Sequence, residues 1–269
     1  MKNINKMSSD QIIPRLLSGK ASKTEANELN YILKKRNVQI KYKLTTQNLT
    51  THNGFQWTKG IVEYADGSGA LCSSGYLHYY HNPLLAAFLN PIHANISNPK
   101  LWIVKCEGQH LDDTGLKGGC TKMTLLKDIK MIEPTLNNRI AFGILCAMEV
   151  YKDETFQKWA QAWIDGTDRT EESANAAAAN AAYATAYAAD AATYAANAAA
   201  RDAATYAARA AADAAANAAA NAANAAYATA NANAAYAAYA AYAARDAANA
   251  ARVCKLDLIT LAEKAMTIN

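Results

Sequence analysis

Leu101-Trp-Ile-Val-Lys-Cys-Glu107 is the run on which the fold turns. It is dense in β-branched and aromatic residues, and Trp102, Val104 and Cys106 fall on one side of a two-residue period, so it reads as a strand. Upstream, Asn82-Pro83-Leu-Leu-Ala-Ala-Phe-Leu-Asn90-Pro91 reads as a short helix. Asn82 caps it, Pro83 suits its first turn, and Pro91 predicts its end. Tyr76-Leu-His78-Tyr-Tyr80-His81 leads into that helix. Downstream, a polar loop from Gln109 to Gly115 is expected before Gly118-Gly119-Cys120 and a further strand, Thr121-Lys-Met-Thr-Leu-Leu-Lys127. Strand, short helix, strand, polar loop, strand predicts a small α+β domain with a mixed sheet.

Working outward toward the N-terminus, Ile40-Lys-Tyr42-Lys-Leu44 alternates, as does Ile61-Val-Glu-Tyr64 more loosely. Asn53-Gly54 and Asp66-Gly-Ser-Gly69 supply turn chemistry. Residues 1–37 read as a basic helical hairpin. Ser9-Asp10 caps its first helix, Ser18-Gly19 ends it, and Ser22-Lys-Thr-Glu25 has capping-box spacing before the shared face of Ala26, Leu29, Ile32 and Leu33. Toward the C-terminus the period changes to 3.6. Leu136, Ile140, Ile144, Ala147 and Tyr151 predict one helix, and Phe156, Trp159 and Trp163 a second, bounded by Asp153 and Gly166. These helices, over 134–170, are expected to cover the sheet of residues 38–133.

The chain then changes composition. From Ala174 to Ala251 alanine fills about two positions in three, and neither Gly nor Pro occurs. Alanine loses no side-chain entropy in a helix, so residues 171–253 predict a long helical tail, opened by Thr170-Glu-Glu-Ser173. Between Tyr183 and Asn224 twelve of the non-alanine residues recur about every 3.7 positions, which fits one helix with a narrow stripe. The register slips around Asn231, predicting a break or hairpin there. Alanine faces approach closely but bury little area each, so the tail is expected to fold back or self-associate. Thr185, Thr193, Thr205 and Thr229 do not form one row, which argues against an ice-binding face. Residues 254–269 carry an apolar patch that is expected to dock on the globular part or on a partner chain.

Charge is unevenly spread. Residues 1–50 hold ten Lys and Arg against three Asp and Glu, so the basic excess is N-terminal. Lys34, Lys35 and Arg36 could touch nucleic acid, but no recognition-helix signature accompanies them. Polar residues interrupt the Ala-rich tract every few positions, which excludes a membrane span there. Five widely spaced cysteines and the absence of an apolar leader predict free thiols and a cytoplasmic location.

Several segments resemble an uncharacterised family found in bacteriophages and prophages. They are Asn53-Gly-Phe-Gln-Trp57, Leu71-Cys-Ser-Ser-Gly-Tyr-Leu-His78, His81-Asn-Pro-Leu-Leu-Ala86, Asn90-Pro-Ile-His-Ala-Asn95 and Gly115-Leu-Lys-Gly-Gly-Cys120. The resemblance runs from about Val38 onward and implies this small domain followed by a low-complexity tail in a phage-type accessory protein. It carries no activity, so no catalytic residue is implied.

The residues that could do chemistry gather between Cys72 and Asn95. Ser73, Ser74, His78, Tyr80, His81, Asn90, His93 and Asn95 surround a short apolar helix, and Arg139 could add a cation for an anionic ligand. The alternative is that they cap and brace a small domain. Cys106 and His110 have the spacing of one metal-ligand pair, but no second pair accompanies them, so neither metal nor cofactor is expected. An accessory binding or scaffold protein is the first reading. The second is an enzyme or sequestering protein for a nucleotide-like ligand, with likeness to ADP-ribosyltransferases at the level of fold analogy alone.

Overall fold

The computed structural model describes residues 6–112, 115, 117–170, 172–174, 176, 177, 180 and 256–269. The expected rod, register slip and break near Asn231 lie outside these residues. The described chain divides into two compact units, one drawn from residues 1–81, 98–113 and 117–130 and the other from 82–97, 114–116 and 131–269.

The first unit opens with the expected hairpin, α1 (Ser9–Leu17) and α2 (Lys23–Lys35). Its caps are shifted and reshaped. Ser8, not Ser9, caps α1 and forms a capping box with Gln11. Ser22 accepts the main-chain N–H of Glu25, but the Glu25 carboxylate pairs with Arg15 instead of returning to the cap. Ile12, Ile13, Leu29, Ile32, Leu33 and Val38 form one buried cluster, and Ile40 and Leu126 of the sheet pack against it.

The sheet contains β1 (Gln39–Thr45), β2 (Val62–Tyr64), β3 (Leu77–Tyr79), β4 (Lys100–Asp112) and β5 (Gly118–Ile129). It is antiparallel rather than mixed. β4 pairs with β1 on one edge and β5 on the other, and β2 and β3 both pair with β5. The strands on either side of the short helix, β3 and β4, therefore do not pair with each other as a parallel crossover would require. Beyond β3, Tyr80 exchanges both main-chain hydrogen bonds with Tyr42 of β1, at 3.0 and 2.7 Å. That bridge closes the path β1–β4–β5–β3 into a ring, which removes free edges over its length.

The expected polar loop at 109–115 is mostly strand. β4 continues through Asp112 because a bulge at Glu107–His110, with Gly108 at φ +83°, absorbs the irregularity. Gly118 and Gly119, which read as loop glycines, are ladder positions opposite Tyr79 and His78. A Cβ at Gly118 would overlap the Tyr79 ring, so the missing side chain is what lets Tyr79 lie flat there. Trp57, Leu77, Tyr79, Trp102, Val104, Cys106, Cys120, Met123 and Leu125 make up the inner cluster.

The second unit holds α3 (Pro83–His93), α4 (Leu136–Val150), α5 (Glu154–Asp165) and α6 (Leu258–Ala265). Asn82 caps α3 as expected, but Pro91 does not stop it. A proline within a helix leaves the carbonyl four residues back without its donor. Here that carbonyl is Ala87, and Arg139 Nη1 of α4 donates to it at 3.0 Å. The helix continues to His93 because a neighbour replaces the lost bond. Thr135 and Asn138 form the box that opens α4, Asp153 caps α5, and Gly166 closes it at φ +75°. α6 packs on α4 and α3 through Leu258, Leu261, Ala262 and Ala265. Asn138 Nδ2 donates to the carbonyls of Ala265 (3.0 Å) and Ile268 (2.7 Å), fastening the segment after α6. No described helix is long and apolar enough to cross a membrane.

Candidate functional site

In β1, residues opposite each other across the β4 ladder share a face. Lys41 faces Val104 and Lys43 faces Trp102, so the alternating lysines point to the inner cluster while Ile40 turns to the helical hairpin. Both faces of the strand are covered. Lys43 is only 7% exposed. Its Nζ donates to the His78 carbonyl at 2.8 Å and sits 4.6 Å from the centre of the Trp57 ring. Burial lowers its pKa from 10.5 to about 8, with the Cys120 and Cys106 thiols pulling the other way.

Lys41 is half-buried. Its Nζ lies 2.9 Å from His81 Nδ1 and 5.5 Å from the centre of the Tyr79 ring. His81 Nε2 lies 2.6 Å from Asp112 Oδ2, a close ion contact set off the line of the ring N–H. An ammonium can only donate, so Nδ1 accepts from Lys41 and the single imidazole proton sits on Nε2, toward Asp112. Burial lowers the His81 pKa, and Lys41 lowers it further against the opposing pull of Asp112. Burial also lowers the Lys41 pKa. The result is an amine, an imidazole and a carboxylate in series. Beside them His110 Nδ1 is 3.4 Å from the Tyr79 hydroxyl, and burial holds His110 low and Tyr79 high. None of the ion pairs between described residues includes Lys41 or Lys43.

Lys41 also lines a groove of about 500 Å3 between α2 and the start of β1. Asn30, Lys34, Asn37 and Gln39 provide its polar lining, and Leu33, Val38 and Ile40 its apolar part. A second concavity, about 340 Å3, lies in the other unit against Tyr151, Phe156, Trp159 and Asn180.

The sequence-derived candidates are divided between the units. Ser73, Ser74, His78, Tyr80 and His81 belong to the first, and Asn90, His93, Asn95 and Arg139 to the second. Ser73 Oγ donates to Ser68 O and accepts from Gly75 N, bracing a loop, and Ser74 is exposed. The His78 ring contacts the Leu71 carbonyl, and Tyr80 is buried at the ring closure. Asn90 holds both main-chain groups of Ile96, Asn95 adopts φ +50°, and His93 is half-buried in the last turn of α3. Of the nine, His81 alone enters the relay with Lys41. Lys41, Lys43, Tyr79 and Asp112 were missed, and His110 was weighed only as a metal ligand: the lysines occupy the polar side of an alternating strand, and His110 and Asp112 fell in the expected loop. Among the described residues no three His, Cys, Asp or Glu converge as metal ligands, so Cys106 and His110 gain no partners.

Residues 39–135 match the family model of a domain of unknown function, DUF7666. No curated protein and no solved structure matches the chain.

Proposed function

We propose that this domain, with its helical hairpin, binds a small anionic ligand at the Lys41 groove, within a phage-type accessory protein. The observation that carries the reading is a pair of inward-facing lysines on β1 that enter no ion pair with a described carboxylate. Two cations on one strand face, with the Asp112 carboxylate opposing only part of that charge at Lys41, are suited to a ligand of the other sign. The groove falls in the size range of small-molecule sites, and Lys34, Lys41 and three amide-bearing residues line it. The phage-type assignment rests on the resemblance of residues 53–120 alone.

The Ala-rich tract is proposed to support this domain by packing on itself. Its two flanks support a path that doubles back: Arg169, just before the tract, donates to the Asn269 main-chain oxygen at 2.6 Å, and α6 packs on α4. Nucleic-acid contact is the weaker proposal. Lys35 lies over the Tyr31 ring and Arg36 Nη1 donates to the Met7 carbonyl, so two of the three cations are already engaged within the hairpin.

The test is calorimetric titration of the full chain with inorganic phosphate, glycolate and a nucleoside monophosphate. Binding that weakens in Lys41→Gln supports the reading, and absence of heat with all three sinks it.

A further inference from the structure

Anion binding alone explains the lysines but not the imidazole and carboxylate lined up behind one of them. A bare counter-ion site has no use for a group that accepts a proton from its cation. We propose that Lys41 is an amine nucleophile that condenses with a carbonyl-bearing anion, an aldehyde or ketone carrying a carboxylate or phosphate. The inference rests on the anion-binding reading and names its ligand class.

The geometry has each required part. Lys41 Nζ meets His81 Nδ1 at 2.9 Å, the lone-pair nitrogen of the imidazole, so the ammonium proton has an acceptor in place. Asp112 Oδ2, 2.6 Å from Nε2, stabilises the imidazolium that results. That is the arrangement by which a nucleophile is activated through a base that a third group orients. Lys43, on the same face of β1, contributes a second cation that enters no ion pair among the described residues. Burial favours the neutral amine at Lys41 and lowers its pKa, against the opposing pull of Cys106 and Asp112.

The step balances without any redox partner. Lys41 passes one proton to His81 Nδ1, and its nitrogen lone pair then attacks the carbonyl carbon. The C–N bond forms as the carbonyl π pair moves to oxygen, and a proton shift from nitrogen to oxygen gives a neutral carbinolamine. The His81 imidazolium protonates the hydroxyl, which leaves as water as the C=N bond forms. His81, neutral again, takes the remaining nitrogen proton and leaves the neutral imine, so ammonium, imidazole and carbonyl compound become imine, imidazolium and water.

The experiment treats the full chain with glyoxylate and cyanoborohydride, then maps the reduced adduct by peptide mass. A parallel arm uses glycolaldehyde phosphate to separate carboxylate from phosphate preference. The expected result is one adduct at Lys41, formed at least about tenfold faster than at other lysines, because His81 Nδ1 stands in place to take its proton. Lys41→Arg abolishes that adduct, His81→Gln slows it, and Lys59→Arg at an exposed site leaves it unchanged. An adduct spread over surface lysines by exposure overturns the proposal. Glycolate binding without a Lys41 adduct overturns the imine and leaves the anion site standing. Failure of glycolate, phosphate and glyoxylate alike removes both.

Discussion

Replacing Lys43 with methionine tests whether the closed sheet holds a charge at a loss. An unfolded lysine titrates near 10.5 and Lys43 near 8, and each unit is worth 1.36 kcal/mol, so the interior opposes the ammonium by roughly 3 kcal/mol at neutral pH. The depressed pKa sets the sign. Between about pH 8 and 10.5 the unfolded chain binds the proton and the native chain does not, so wild-type stability gains with rising pH. Methionine removes the penalty but also the hydrogen bond to the His78 carbonyl, worth roughly 1 kcal/mol. Lys43→Met is therefore expected to be more stable than wild type by roughly 2 kcal/mol at neutral pH, and less stable by roughly 1 kcal/mol once the unfolded lysine has titrated. Urea titrations across this range, followed by amide exchange in β1 and β4, read the difference for the sheet itself. A difference that stays constant with pH refutes the reasoning, because it means that Lys43 titrates like a solvated lysine.

Acid should weaken the first unit before its carboxylates titrate. Burial lowers the pKa values of His78, His81 and His110 from 6.5, so the unfolded chain takes up protons first and stability falls as pH drops through that value. Exchange protection in β4 and β5 should decline there, and less steeply in His81→Gln. In the second unit, Arg139→Met should cost about 1–3 kcal/mol by leaving the Ala87 carbonyl without a donor. Adding Pro91→Ala restores a main-chain N–H for that carbonyl, so a double-mutant cycle should recover most of the loss. Asn138→Leu removes the bonds to Ala265 and Ile268, and proteolysis should then cut after α6 sooner than in wild type.

Much of the fold was legible because its signals are local. The caps at Asn82, Asp153 and Gly166, the helical faces of α2, α4 and α5, and the shared side of Trp102, Val104 and Cys106 all stood in short stretches of sequence. What stayed hidden depends on distant partners. Pro91 reads as a stop unless Arg139 is known to replace the lost bond. Gly118 reads as loop until Tyr79 is laid across it. The site was obscured in the same way. Lys41 and Lys43 look like the solvent face of a half-buried strand, and only the hairpin covering the Ile40 side together with the Tyr42–Tyr80 bridge turns them inward. His81 was found because it lies among other polar residues, whereas Asp112 lies 31 positions further along the chain.

The most direct measurement is titration of the full chain with glycolate and phosphate in wild type and Lys41→Gln. The account predicts saturable binding that weakens at least about tenfold in the variant, as expected when a charge-assisted contact of about 1.4 kcal/mol or more is lost. Equal affinity in the two proteins, or no binding by wild type, would contradict it.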